Sequence, residues 1–205
     1  WPTVVQRLQT HPTSPSLFQK AFGTATVDSN LVVMAIAQFE RTMVSFNTPF
    51  DRFFYLGDST ALNDQEQRGL QVFMRDGHCV DCHREPLLRD HGLRNNGLDM
   101  VSADPGHGAN SGNPNDVGKF KVPTLRNIAQ TAPYIHDSRF TTLEQVVGFY
   151  AHDVQVDNPR IDPHMDPWRF GQVNLSPQNE ADLVAFLHAL TDQGFLTDPS
   201  LSDPH

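Results

Sequence analysis

The stretch Cys79-Val80-Asp81-Cys82-His83 constrains this chain more than any other. Two thiols are spaced by two residues, and a histidine follows the second directly. That spacing lets each sulfur close a thioether to one vinyl group of a c-type haem and brings the imidazole under the iron as an axial ligand. A chain that binds a porphyrin this way must fold around it. The sequence has 205 residues and two cysteines, both in this motif. None is left for a disulfide framework, a four-cysteine zinc site or an iron–sulfur cluster. Two competing readings stay open. A redox-active dithiol needs a strand–helix–strand context, and half of a zinc site needs a second Cys or His pair at normal spacing. One covalent haem c is the cofactor that the residues favour.

The net charge of −9 and the presence of only three lysines (Lys20, Lys119 and Lys121) argue against nucleic-acid binding. An acidic surface suits a basic redox partner, since complementary charge speeds encounter. The expected partner is a small cytochrome c or copper protein, or a larger redox complex, and a homodimer is the assembly to test. The longest apolar run, Leu31 to Ala37, falls well short of the ~20 residues of a membrane span. The chain begins at Trp1 with no methionine and no signal sequence, so a processed or partial chain is expected. Covalent haem is attached outside the cytoplasm, which gives the periplasm or an extracytoplasmic membrane face as the expected location.

Apolar periodicity predicts helices joined by long irregular segments. One covers 14–22. A stronger one runs from the cap cluster Asp28-Ser29-Asn30 to about Phe46, with Leu31, Ala35, Phe39 and Met43 as its stripe. Asn63 followed by Glu66 reads as a capping box opening a helix through Leu70, Phe73 and Met74 that leads to Cys79. Thr141-x-x-Glu144 reads as another, with Leu143, Val146, Val147 and Tyr150 on one face behind it. Ser176-Pro177 starts a last helix that buries Leu183, Phe186, Leu187 and Leu190 and ends near Gly194. Residues 84–122 are rich in Gly, Asn, Asp and Pro, as loops that wrap a porphyrin edge would be. No hairpin signal or internal repeat is present. The fold class is mainly α with large loops.

Three ordered blocks carry a resemblance. They are Ala35–Phe53 ("AIAQFERTMVSFNTPFDRF"), Phe120–Val147 ("FKVPTLRNIAQTAPYIHDSRFTTLEQVV") and Leu175–Thr191 ("LSPQNEADLVAFLHALT"). With the Cys79–His83 motif they resemble the C-terminal haem domain of bacterial di-haem cytochrome c peroxidases and their MauG-type relatives. The resemblance implies a cytochrome c-like helical haem domain over 58–205. It makes 1–57 a helical extension that follows a peroxidatic haem domain, whose own haem motif and pocket acid and glutamine are expected upstream of Trp1. In such a design this haem passes electrons between a redox partner and a peroxidatic haem that reduces hydrogen peroxide. The alternative is a monohaem electron-transfer subunit of a larger complex, without peroxidase activity.

His83 is one iron ligand, and the sixth ligand is open. Peroxidases of the family place a methionine near the end of the helix that begins here at Thr142-Leu143-Glu144-Gln145. The matching position is Tyr150, where MauG-type relatives have tyrosine. Its shared face with Leu143 and Val147 agrees, although a buried tyrosine bonded within the core would give the same pattern. Met165, in the Pro-rich run "IDPHMDP", Met100 and His152 are the alternatives. Lys121 and Arg126, which flank "VPTL", are the candidate partners of the haem propionates, since buried carboxylates need cations or donors. The resemblance further implies a calcium ion bound through backbone carbonyls at Thr131 and Pro133. Glu40 and Arg41 read as a structural ion pair.

Overall fold

The computed structural model describes residues 1–202. By its contacts the chain divides into Trp1–Val44, with Asp198–Ser202, and Ser45–Thr197. The stretch 45–57 therefore packs with the second unit. Among the described residues no helix is long and apolar enough to cross a membrane.

The first unit holds α1 (Pro2–Thr10), α2 (Ser14–Phe22) and α3 (Ser29–Glu40). Proline in the first turn starts α1 and α2, and Gly23 ends α2 in the left-handed region (φ 75°). Asp28 caps α3 by accepting from the amides of Asn30 and Leu31. The helix stops at Glu40 instead of the expected Phe46, because Thr42 turns its hydroxyl back onto the Phe39 carbonyl (2.7 Å) and the chain leaves helical geometry. Arg41 reaches Gln38 Oε1 (3.5 Å), so the expected pairing with Glu40 does not form.

The second unit is built on two crossing helices, α5 (Asp64–Gln71) and α9 (Pro177–His188). Around them lie α4 (Pro49–Phe54), α6 (Gly108–Ser111), α7 (Leu143–Gly148), α8 (Asp166–Arg169) and α10 (Gln193–Leu196). Gly69 makes the crossing possible, since a Cβ there would come within 2.0 Å of the Asp182 carbonyl oxygen. Arg68 clasps Asp182 at 2.8 and 3.1 Å beside it. Phe186 is fully buried, with its ring against Phe50 (5.6 Å) and Phe73 (5.2 Å). Asn63 and Glu66 form the expected capping box of α5, and Ser176 and Pro177 open α9 as expected. α9 ends at His188, short of Gly194, which lies in α10. Asp192 caps α10 through the Phe195 amide and also accepts from the Asn47 amide, which pulls the chain out of the helix. The N-cap of α7 is Thr142 with Gln145, one residue beyond the expected Thr141 and Glu144. That frame buries Leu143 and Val147.

The long loop region carries one two-stranded antiparallel ladder, β1 (Leu93–Arg94) with β2 (Phe120–Lys121). Its strands are joined by a long excursion, so no hairpin turn marks it in the sequence. The class is mainly α, as expected.

Candidate haem site

α5 runs into a wider π-turn, Val72–Asp76, which ends at Gly77. His78 follows in the left-handed region (φ 50°), and a 3-10 turn spans Cys79–Asp81. The Cys79 carbonyl accepts from the amides of Cys82 (3.3 Å) and His83 (2.9 Å). One turn of backbone thus presents both sulfurs and the imidazole together. His83 Nδ1 lies 3.1 Å from the Leu88 carbonyl. A carbonyl only accepts, so Nδ1 carries the proton and Nε2 keeps its lone pair for a metal. Burial pulls the His83 pKa below its ordinary value, although the carbonyls of Leu88 and Pro123 favour the protonated form. A neutral imidazole is the form that ligates.

These residues line a cavity of about 710 Å³, within the ~300–1,000 Å³ of cofactor clefts. Its wall is chiefly apolar, with Phe73, Val122, Leu143, Val147, Leu183 and Leu187 among the contributors. Burial pushes the Cys79 thiol up to about 12 and the Cys82 thiol up to about 11. Such thiols resist becoming the thiolate that a dithiol enzyme requires. Among the described residues no group of three or more His, Cys, Asp or Glu side chains gathers to hold a metal ion. The apolar cavity, the paired sulfurs and the oriented imidazole fit a covalent haem and fit neither competing reading.

Tyr150 lies in the π-turn Phe149–Asp153 that continues α7, and its phenol enters the same cavity wall. The phenol oxygen accepts from Asn96 Nδ2 at 2.9 Å. Burial pushes its pKa up to about 12, against the Asn96 bond, which lowers it. The Tyr150 carbonyl accepts from the Trp168 indole N–H at 2.6 Å, and the two rings lie 6.1 Å apart. Met165 is buried and lines the cavity as well, so both it and Tyr150 remain placed as iron-ligand candidates. Arg94, itself part of the cavity wall, holds the Met165 segment. It donates to Asp162 Oδ1 (3.0 Å) and, through Nε, to Asp90 Oδ2 (2.9 Å).

Two alternatives fall away from the site. Met100 is 43% exposed and absent from the cavity wall, because its neighbour Asp99 is drawn outward to Arg139. The His152 side chain is 57% exposed and pairs with Glu180 Oε1 at 2.8 Å. Lys121 lines the cavity, and among the described residues no acidic side chain pairs with its ammonium, as suits a propionate partner. Arg126 touches the cavity, but its guanidinium is occupied: NH1 and NH2 grip Asp51 at 2.8 Å each, while Nε (3.0 Å) and NH2 (2.6 Å) donate to the Pro86 carbonyl. Thr131 and Pro133 also lie in the cavity wall. Two carbonyls fall short of the six to eight oxygens that calcium takes, so these residues do not make a calcium site by themselves.

Sequence reasoning missed Asn96, Trp168 and Asp51. The tryptophan stands in the run "DPHMDPWRF", where its half-buried ring packs near Tyr150. Nothing in the sequence pairs Asn96 with Tyr150 or Asp51 with Arg126, which lie 54 and 75 residues apart.

The family model described as di-haem cytochrome c peroxidase matches residues 1–60. Cytochrome-c peroxidase IdrP1 of Denitromonas iodatirespirans is 30% identical over 96% of this chain and 58% of its own length. The methylamine utilization protein MauG of Methylorubrum extorquens is 33% identical over 91% of this chain and 52% of its own. The chain belongs to the di-haem cytochrome c peroxidase and MauG-type family. This chain therefore spans under two thirds of these relatives. A solved structure of a MauG-like protein associated with microbial copper homeostasis superposes with a TM-score of 0.85 at 28% identity, over 99% of this chain and 65% of that one. The mainly α, cytochrome c-like architecture is that of the family, and haem c is the cofactor that the site is built for.

Proposed function

We propose that this chain is the electron-transfer half of a di-haem cytochrome c peroxidase or MauG-type oxidoreductase. It exchanges electrons with a small cytochrome c, a copper protein or a larger redox complex. It relays them to a peroxidatic haem held outside these residues, where hydrogen peroxide is reduced. The carrying observation is the apolar cavity that gathers Cys79, Cys82, His83 and Tyr150. Bound haem supplies a one-electron couple. The residues of this chain do the rest. Cys79 and Cys82 tether it, His83 presents Nε2, and the apolar wall excludes water and lowers the local dielectric, which tunes the potential. Tyr150 is our choice for the sixth ligand. Asn96 holds its oxygen in place, and an anionic phenolate stabilises ferric over ferrous iron by charge. Lys121 is the propionate partner. A calcium ion at Thr131 and Pro133 would take its remaining oxygens from outside this chain. The periplasm is the proposed location.

A pyridine haemochrome assay with intact mass tests the reading. One covalent haem is expected on this chain and two on a full-length protein. Stopped-flow mixing with a reduced small cytochrome c should reduce the haem, while the chain alone should turn over no hydrogen peroxide. Peroxide turnover by these residues alone would overturn the electron-transfer assignment. One haem on a full-length protein would establish the monohaem carrier instead.

A further inference from the structure

We propose that the buried Asp51–Arg126 pair is a positioning device for His83, acting through the Pro86–Leu88 turn. The inference rests on the haem reading and assigns residues to the control of its axial ligand.

Three consecutive carbonyls are held from one short segment. Pro86 O accepts from Arg126 Nε and NH2 at 3.0 and 2.6 Å. Leu87 O accepts from the Thr124 hydroxyl at 2.6 Å. Leu88 O accepts from the Leu125 amide at 3.2 Å and from His83 Nδ1 at 3.1 Å. The carbonyl that polarises the imidazole is therefore the last rung of a braced ladder. Leu88 itself is 1% exposed and sits at φ 50°, a conformation a leucine keeps only where its surroundings impose it.

The brace is anchored on α4. Asp51 is 1% exposed and accepts from the Thr48 amide (2.9 Å), the Thr48 hydroxyl (2.8 Å) and both Arg126 NH groups. Capping α4 does not require a buried arginine. A buried ion pair is weak evidence for stability, because desolvation offsets its attraction, and its better-attested use is to specify one arrangement. The fork geometry of arginine is what this arrangement needs. One guanidinium must grip a carboxylate along one edge and a carbonyl along the other, which a lysine ammonium does not reproduce. The Arg126 guanidinium also lies 4.5 Å from the Phe46 ring, which fixes its plane.

The functional link runs through the imidazole. A firm Nδ1–H···O=C bond raises ligand basicity and favours ferric iron. Loosening the turn weakens that bond and raises the midpoint potential. Asp51→Asn, Arg126→Lys and Thr124→Val are made in the full chain with its covalent haem. The readouts are the spectroelectrochemical midpoint, the hyperfine-shifted His83 ring protons in NMR, and Tm. Asp51→Asn and Arg126→Lys are expected to move the midpoint upward and displace the ring resonances. Thr124→Val should give a smaller shift of the same sign. A lowered Tm with midpoint and ring resonances unchanged would leave the pair structural and overturn the proposal. If Asp51→Asn does not fold, the charge-conserving Arg126→Lys and the exposed Thr124→Val decide on the same readouts. Failure of the unmodified chain to attach haem would count against the haem reading itself, a separate result.

Discussion

The cavity has two walls built in opposite ways. The histidine wall comes from one stretch, Gly77 to Leu88, closed by backbone hydrogen bonds and braced by 124–126. The tyrosine wall is assembled from three distant segments. Tyr150 comes from the end of α7, Asn96 from the loop after β1, and Met165 and Trp168 from the Pro-rich run into α8. Side-chain hydrogen bonds join them, and Arg94, which also lines the cavity, is tied to Asp90 and Asp162. A local turn can be specified by spacing alone. An assembled wall can exchange one ligand for another without disturbing the attachment of haem, and Tyr150 and Met165 both stand in it.

The largest expected effect is on the histidine wall. Replacing Cys79 and Cys82 by alanine should abolish covalent haem, read by haemochrome and intact mass, because both tethers are lost. Next comes the buried brace. Asp51→Asn leaves the Arg126 charge buried and half-paired, and should cost about 3–5 kcal/mol in denaturant unfolding. This loss has a defined pH dependence. Burial alone would raise the Asp51 pKa, but the bonds from Arg126 and Thr48 outweigh it and hold it below the ordinary value. The contribution is complete above the unfolded pKa of about 3.9 and is lost as pH falls through the lower folded value. The stability gap between wild type and Asp51→Asn should therefore close on strong acidification.

The tyrosine wall should be softer. Arg94→Met breaks a partly exposed network and should cost about 1–3 kcal/mol, between surface and fully buried pairs. Equal losses at Arg94 and Asp51 would erase the contrast between the walls. Tyr150→Phe should cost about 1 kcal/mol by losing the Asn96 bond. It should also change the visible and EPR spectra of the haem, and unchanged spectra would remove Tyr150 as the sixth ligand. The smallest effect is expected for Met165→Leu, a volume-conserving swap that should cost under about 1.5 kcal/mol and leave the spectra alone. An altered spectrum there would move the ligand assignment to Met165.

The contrast also explains which residues were legible. The Asn63–Glu66 and Ser176–Pro177 starts were readable because a cap and its amide are neighbours in the chain. The ends of α3 and α9 were not. Thr42 on the Phe39 carbonyl and Asp192 on the Asn47 amide ended them, and no periodicity carries such contacts. Met100 and His152 had the right chemistry but were drawn to Asp99's exposed loop and to Glu180. Arg126 was readable as a candidate propionate partner and not as the partner of Asp51, since a guanidinium has no local preference among anions.

By itself the sequence pointed to a covalent haem site, to His83 as the expected ligand and to a mainly α chain. These follow from bond lengths, the reach of two residues and the period of a helix, all of which act locally. Only the tertiary structure decided which distant side chains line the cavity and which cation answers which anion. Those choices depend on burial, where a donor takes whichever partner the folded chain brings within 3 Å or so, however distant in sequence.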